Sequence, residues 1–336
     1  MKPRSVVMNL LDNRWATCLL AIFLTITSFY LTLKFQNNTL IFIILIALTL
    51  ILIFNSYLEL LVALTFIAPI NRKKSLSGTN WQQGILPHDG PDIFYVANFR
   101  ETKAPLAIIV HGWRSGSSSM QGRAELFLKM GFSVLIMELP GHGSAQGVSK
   151  WNAGVATRNF MYLFDNLDKV CDIDMISDIY LHGHSIGAFV LLRYSRESNV
   201  LKNVESVQGY ILESPMTCYS EIFNESCQRL LVPKLLTTYF WNRLRFHFNH
   251  LNKQFEPILR VDDVDVPTWG IPDKPTLVVQ AGNDERLGEI HYQKLIESFT
   301  DKELLSNIIL DDLTHAGARK NKNRDNVIEN WIESLN

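Results

Sequence analysis

Apolar residues follow two different rhythms along this chain of 336 residues. Near the N-terminus they run almost without interruption. Trp15 to Leu33 is an uncharged stretch of 19 residues, long enough at 1.5 Å per residue to cross about 30 Å of hydrocarbon. A second stretch, Leu40 to Ile70, is broken only by Asn55, Ser56 and Glu59. The pattern predicts two membrane-spanning helices, over about 15–33 and 40–58 or longer. The second stretch reads either as one span followed by an interfacial piece or as a single long tilted helix. Lys34 to Thr39 leaves room only for a hairpin turn. A secretory signal peptide is the competing reading, because Lys2 and Arg4 precede the first run. That run is long for a signal core, has no small-residue cleavage site and is followed by a second run, all of which favour the hairpin. Asn37-Asn38-Thr39 fits a glycosylation sequon, but so close to the apolar runs that it is taken as chance.

Beyond a polar stretch from Ser75 to Pro91 the rhythm changes. Short apolar runs alternate with helical patterns, which predicts a mostly parallel sheet with crossover helices, an α/β fold. The predicted strands are Ile93–Ala97, Leu106–Val110, Ser133–Met137, Ile179–His182, Gly209–Leu212, Thr276–Gln280 and Ser306–Leu310. Most are continuous apolar runs, as expected of strands covered on both faces. Helical patterns fall at Ser119–Lys129, Ala153–Val170, Ala188–Arg196, Glu289–Ser298 and Asn323–Ser334. One segment departs from the alternation. Between Pro215 and Pro267 there is no strand-like run, and eight aromatic residues occur, among them Tyr239, Phe240, Trp241, Phe246 and Phe248. Some fifty residues exceed what a strand-to-strand connection needs, so the segment reads as an inserted helical cap at about 216–266.

Charge sharpens the division. Residues 1–74 carry seven basic and two acidic residues, or +5, and the remaining 262 carry 25 basic and 31 acidic, or −6. The near-neutral total thus hides a basic apolar segment and a mildly acidic domain, which lacks the electrostatic footprint of a nucleic-acid binder. Lys2, Arg4 and Arg14 precede the first span, Arg72, Lys73 and Lys74 follow the second, and Lys34 lies alone between them. The positive-inside rule then predicts that both flanks, and with them the large domain, face the cytoplasm. Cys18, Cys171, Cys218 and Cys227 form no CxxC pair or metal spacing. In that compartment they are expected to be reduced.

Gly183-His184-Ser185-Ile186-Gly187 matches G-x-S-x-G. The motif is weak by itself. Its setting, after one predicted strand and before a helical pattern, is what a nucleophile elbow requires. The turn is so tight that only glycine fits on either side of the serine. A serine hydroxyl needs a base to take its proton and a third group to orient that base. In this architecture the acid and the histidine follow in the order Ser, Asp/Glu, His. The strand Thr276–Gln280 leads into Asp284, and the strand Ser306–Leu310 leads into His315. Glu285, Glu213, Asp311 and Asp312 are rivals for the acid. His142, His182, His184, His247 and His250 lie on the wrong loops for the base and are expected to be structural or surface residues. A tetrahedral intermediate needs oxyanion donors. By position these are the backbone amides of Ile186, after the nucleophile, and Trp113, in the loop His111-Gly112-Trp113-Arg114.

Together with Leu139-Pro140-Gly141-His142-Gly143-Ser144, these motifs make the chain from about Ile93 onward resemble the α/β-hydrolase superfamily. It is most similar to the branch of lysophospholipases, monoacylglycerol lipases and serine aminopeptidase-like enzymes. The resemblance implies an α/β-hydrolase domain over 75–336 behind a membrane anchor over 1–74. By position it gives Ser185, Asp284 and His315 as the triad, and Trp113 and Ile186 as oxyanion donors. Two departures stand out. Glu138 replaces the more usual aspartate, which changes a loop contact. The His-Gly-Trp motif lacks the three-glycine loop of some esterases, and its tryptophan narrows the acyl pocket. The expected activity is ester hydrolysis, with acyl glycerols or lysophospholipids as leading substrates and no metal or cofactor required. A peptidase would need an acidic group to hold the substrate amine, for which Glu213, Glu221 and Glu225 are candidates. A non-catalytic membrane scaffold is the remaining alternative.

Overall fold

The computed structural model describes residues 10–69, 73–197, 206–316 and 319–335. Lys2, Arg4 and Arg72, which enter the charge argument, lie outside them. The chain divides into two compact units, one of Met1–Ala68, Ser149–Asn152 and Glu221–Leu259, the other comprising the rest.

In the first unit, α1 (Ala16–Lys34) and α2 (Thr39–Thr65) form an antiparallel hairpin. Both are long and apolar enough to cross a membrane. Over Thr39–Thr65 the second stretch is one uninterrupted helix of 27 residues, about 40 Å long. Asn38 caps it by accepting the Ile41 amide at 3.2 Å. The helices meet along a polar seam. Ser28 bonds Thr49 at 2.8 Å, and Thr25 bonds Ser56 at 2.9 Å, while Phe23, Phe29, Leu40 and Ile51 stand exposed outside. Small hydroxyl residues allow close approach where no hydrophobic force draws two helices together. The same unit holds most of α6 (Tyr219–Arg229) and all of α7 (Thr237–Leu251). The aromatic residues of that stretch pack on one another, with Phe223 5.6 Å from both Phe240 and Trp241. On α2, Glu59 is 1% exposed. It accepts a hydrogen bond from Arg243 of α7, and His247 Nε2 lies 3.4 Å from its other oxygen. A carboxylate on a lipid-length helix is costly unless protein covers and pairs it. Here α7 does both.

The second unit is built on an eight-stranded sheet in the order β1-β2-β4-β3-β5-β6-β7-β8. Its strands are β1 (Gln82–Leu86), β2 (Ile93–Asn98), β3 (Ala104–Val110), β4 (Ser133–Met137), β5 (Ile176–His184), β6 (Val207–Glu213), β7 (Thr276–Asn283) and β8 (Leu305–Thr314). From β4 to β8 the pairing is parallel, and β1 and β2 join antiparallel. The apolar runs are strands, as expected. β1 is the exception, lying inside the stretch read as polar. It is an edge strand exposed over most of its length, so it needs no apolar run. Gly84 within it leaves room for the Tyr95 ring, which an added Cβ would meet at 2.2 Å.

Strand residues alternate between two covered faces. Ala107, Ile109, Val134, Ile136 and Ile211 pack with Phe127 of α3 (Gln121–Lys129) and with Ile328 and Trp331 of α9 (Lys322–Leu335). The intervening Leu106, Ile108, Leu135, Leu181 and Leu212 are equally buried. An aromatic cluster joins α4 (Ala153–Asp165) to α5 (Ile186–Glu197), with Phe160 and Tyr194 at 5.0 Å. A short α8 (Glu289–Ser298) precedes β8. Each fully buried Leu, Ile or Phe contributes about 1.5–3 kcal/mol. The apolar runs thus fix a rigid sheet whose parallel strands all end at one edge.

Candidate active site

Four of those strand ends carry the residues singled out in the sequence. β5 runs into the elbow, where Ser185 has φ +55°, a left-handed conformation that L-residues seldom adopt. Its neighbours explain the two glycines. A Cβ at Gly183 would stand 2.5 Å from Ala188 Cα, and one at Gly187 would stand 2.2 Å from the Val110 carbonyl oxygen. Only bare backbone lets α5 start this close to β3 and β5. The elbow is tied down by the Ser185 amide donating to the Glu213 carbonyl at 3.0 Å, and by Met216 N–H donating to the Ser185 carbonyl at 3.2 Å. Ser185 is 7% exposed.

β7 delivers Asp284 and β8 delivers His315. Ser185 Oγ lies 2.9 Å from His315 Nε2, and His315 Nδ1 lies 2.8 Å from Asp284 Oδ2. The Asp284 carboxylate also accepts the amides of Arg286 at 3.0 Å and Leu287 at 2.9 Å, and Gln280 Nε2 at 3.1 Å. Burial works against its charge. The His315 ring and the two amides outweigh that and hold the carboxyl at about 2. An ionised Asp284 fixes the proton of His315 on Nδ1 and leaves Nε2 as a lone pair facing the serine hydroxyl. Such a chain can take a proton from Ser185 Oγ and return it to a leaving group.

The loop after β3 lies against this chain. A Cβ on Gly112 would stand 3.3 Å from Ser185 Cβ and 2.8 Å from His184 Nδ1, so the backbone of His111-Gly112-Trp113 borders the serine. The loop is braced from behind. His142 Nε2 accepts the Arg114 amide at 3.1 Å, and the Trp113 ring stands edge-on to His142 at 5.3 Å. His111 Nε2 accepts the Leu139 amide at 3.1 Å. Burial pushes His111 down to about 4 and His142 to about 3, so both are neutral acceptors at pH 7. Ile186 opens α5, where the amide has no intrahelical carbonyl to bond.

The rival acids go elsewhere. Glu213, 1% exposed, receives Arg123 Nε at 2.7 Å, with His182 Nε2 at 3.3 Å and Arg324 Nη1 at 3.7 Å. Burial opposes its charge, but Arg123 foremost holds it well below the ordinary carboxylate range. It serves as an internal counter-ion, unavailable to His315 or to a substrate amine. Glu285 and Asp311 are exposed, and Asp312 accepts from Asn321 and Asn323. Glu138, the departure from the usual aspartate, is buried and gathers Ser75, Ser117 and the Ser144 amide.

His184, expected to be a structural or surface residue, is buried and braces the site. It donates Nε2–H to the His315 carbonyl at 2.7 Å. Burial keeps it neutral, at about 3. Its only signal was adjacency to Ser185. Among the described residues, no group of three or more His, Cys, Asp or Glu side chains is placed to hold a metal ion.

Residues 101–266 match the hydrolase family described as serine aminopeptidase, S33. Solved structures similar in fold include mouse alpha/beta hydrolase domain-containing protein 10, with TM-score 0.54, 15% identity, and 76% of this chain and 100% of that one covered. The Pyrococcus furiosus esterase Pf2001 gives TM-score 0.52 at 15% identity over 79% and 97% of the two chains. A bacterial membrane phospholipase A, a virulence factor, gives 0.51 at 15% over 76% and 87%. No curated protein matches in sequence.

Proposed function

The chain is a member of the α/β-hydrolase superfamily, and on that premise we propose that it is a membrane-anchored serine hydrolase of carboxylic esters. The observation that carries the reading is the unbroken chain from Ser185 Oγ through His315 to Asp284, at 2.9 and 2.8 Å. Ser185 Oγ–H gives its proton to His315 Nε2 as the oxygen attacks the ester carbonyl carbon. The amides of Ile186 and Trp113 stabilise the resulting oxyanion. The intermediate collapses to an acyl-serine, and His315 passes the proton to the departing alcohol. Water, deprotonated by the same nitrogen, then releases the acid and restores the serine.

Acyl glycerols or lysophospholipids are the substrates this reading favours. Two lipid-length helices on the same chain would hold the enzyme where such esters concentrate, and the P. furiosus and bacterial relatives in fold are an esterase and a phospholipase A. Both flanks of the hairpin are assigned to the cytoplasm by their positive charge. For a peptidase, the family description is the supporting observation, but Glu213 is consumed by Arg123 and Arg324, which removes one of its three candidate amine-binding acids. A passive scaffold would have no use for three side chains aligned in this order.

The test is labelling of purified full-length protein with a fluorophosphonate probe, alongside hydrolysis of long-chain and short-chain esters and a peptide amide. Labelling should occur at Ser185 and vanish in Ser185→Ala, with ester turnover falling about 10⁶-fold and the thermal midpoint unchanged. A folded Ser185→Ala that still turns over esters places the nucleophile elsewhere.

A further inference from the structure

The segment between α6 and α7 presents two of its four leucines outward. Leu231 is 85% exposed and Leu235 88%, and Tyr239 at the start of α7 is 56% exposed. Leu231 also has φ +53°, the left-handed turn that closes α6 as a helix C-cap. The sequence around it, Leu230-Leu231-Val232-Pro233-Lys234-Leu235-Leu236, contains one charge. Three of its amides are satisfied locally. Leu231 N–H bonds the Gln228 carbonyl at 3.1 Å, Val232 N–H that of Cys227 at 2.8 Å, and Leu236 N–H that of Pro233 at 2.8 Å. Apolar side chains turned outward over locally bonded amides suit a lipid environment.

The hairpin sets the depth of this segment. Tyr239 stands edge-on to Phe54 of α2 at 5.6 Å, and four residues later Arg243 pairs with Glu59. Thr39 to Glu59 spans twenty residues, about 30 Å of rise, which is the thickness of a hydrocarbon core. Phe54 lies five residues before Glu59, about 7 Å deeper. The start of α7 therefore sits level with α2 residues that would be inside the leaflet.

We infer that Leu231–Tyr239 is a third membrane-embedded element, a wedge that enters the leaflet beside the end of α2 without crossing it. Lys234 reaches back to the headgroups along its aliphatic stem, and the Tyr239 hydroxyl sits near the interface. The inference rests on the reading of α1 and α2 as spans. The occupant is the bilayer, because the exposed apolar faces of the hairpin and of the wedge are joined through Phe54 and Tyr239.

The test reads depth, site by site, in the full chain. Leu231→Cys, Leu235→Cys, Ile46→Cys and Lys253→Cys are made with Cys171→Ser, the other native cysteines being buried. Each carries an environment-sensitive fluorophore in phosphatidylcholine vesicles. Shallow and deep doxyl-phosphatidylcholines quench from the lipid, and iodide quenches from water. The labels at 231 and 235 should be quenched several-fold more by shallow doxyl lipid than the label at Lys253, and be shielded from iodide. The label at 46 should respond to the deep quencher. If 46 behaves so while 231 and 235 are as open to iodide as Lys253, the wedge is wrong and the anchor stands. Protection of 231 and 235 from both quenchers means a protein covers them, which also overturns the wedge. A label at 46 open to iodide removes the anchor and the wedge together.

Discussion

The two compact units place their polar and apolar residues in opposite ways. In the sheet unit Ile108, Leu135 and Val278 are fully buried, and polar residues gather at the strand ends. In the hairpin unit Phe23, Leu40 and Ile51 face outward, while Ser28, Thr49 and Glu59 are inside. The first arrangement is what water demands, and the second is what lipid would demand. Against water the hydrophobic effect drives apolar surface inward, and against lipid only close packing and hydrogen bonds remain to join helices. Both units nevertheless bury a carboxylate against arginine and histidine, Glu213 with Arg123 and His182, and Glu59 with Arg243 and His247. These two buried carboxylates fasten elements, whereas Asp284 bonds the His315 ring beside Ser185.

That distinction can be broken. Asp284→Asn should reduce ester turnover about 10⁴-fold with a small change in stability, measured by steady-state kinetics and thermal unfolding on one preparation. Activity near wild type, with loss in Glu285→Gln instead, would transfer the role to the neighbour. Acid should act on the sheet unit through four buried histidines. His111 and His291 are lowered to about 4, and His142 and His184 to about 3, with burial the first cause of each. Their folded pKa values lie below the unfolded 6.5, so the stability they represent is complete above about pH 6.5 and is lost as pH falls toward 4 and 3. Near pH 5 unfolding should take up roughly four protons, measurable as the slope of unfolding free energy against pH. A flat profile between pH 6.5 and 4 would mean these rings are not held neutral.

Glu213→Gln should act on the fold first. Leaving Arg123 without its carboxylate, and Arg324 with Asp325 alone, costs about 3–5 kcal/mol, read as a fall in denaturation midpoint, with residual turnover tracking the folded fraction. Loss of turnover at full stability would give Glu213 a part in the chemistry. The smallest effect belongs to the hairpin. Ser28→Ala removes the bond to Thr49, and exchanges of this kind inside membranes average about 0.6 kcal/mol. A loss of several kcal/mol in a bilayer unfolding assay would show that the seam carries more of the hairpin than its outer packing does.

How much could be read beforehand follows from the range of each interaction. β4 and α8 have the boundaries that their apolar patterns gave, because a strand covered on both faces or a helix with one buried stripe is written locally. β1 was hidden because an edge strand needs only a partner, β2. Ser185, His315 and Asp284 could be proposed from chain order and strand ends, and they lie within hydrogen-bond reach of one another. Glu213 remained a rival because what occupies it comes from Arg123 and Arg324, 90 and 111 residues away. Glu59 looked like an interruption in an apolar run for the same reason, since Arg243 lies 184 residues on.

The two arginines on Glu213 also set a sequence of events. Arg123 belongs to an early helix and Arg324 to the last one. Glu213 closes β6, and its carbonyl holds the Ser185 amide. During synthesis the elbow, Arg123 and Glu213 all emerge well before β8, His315 and Arg324, which share the final 32 residues. A nascent chain lacking that stretch has Ser185 without His315, and a carboxylate with one of its two arginines missing. On the proposed function, premature termination before residue 305 yields a polypeptide that forms no acyl-serine and is open to clearance.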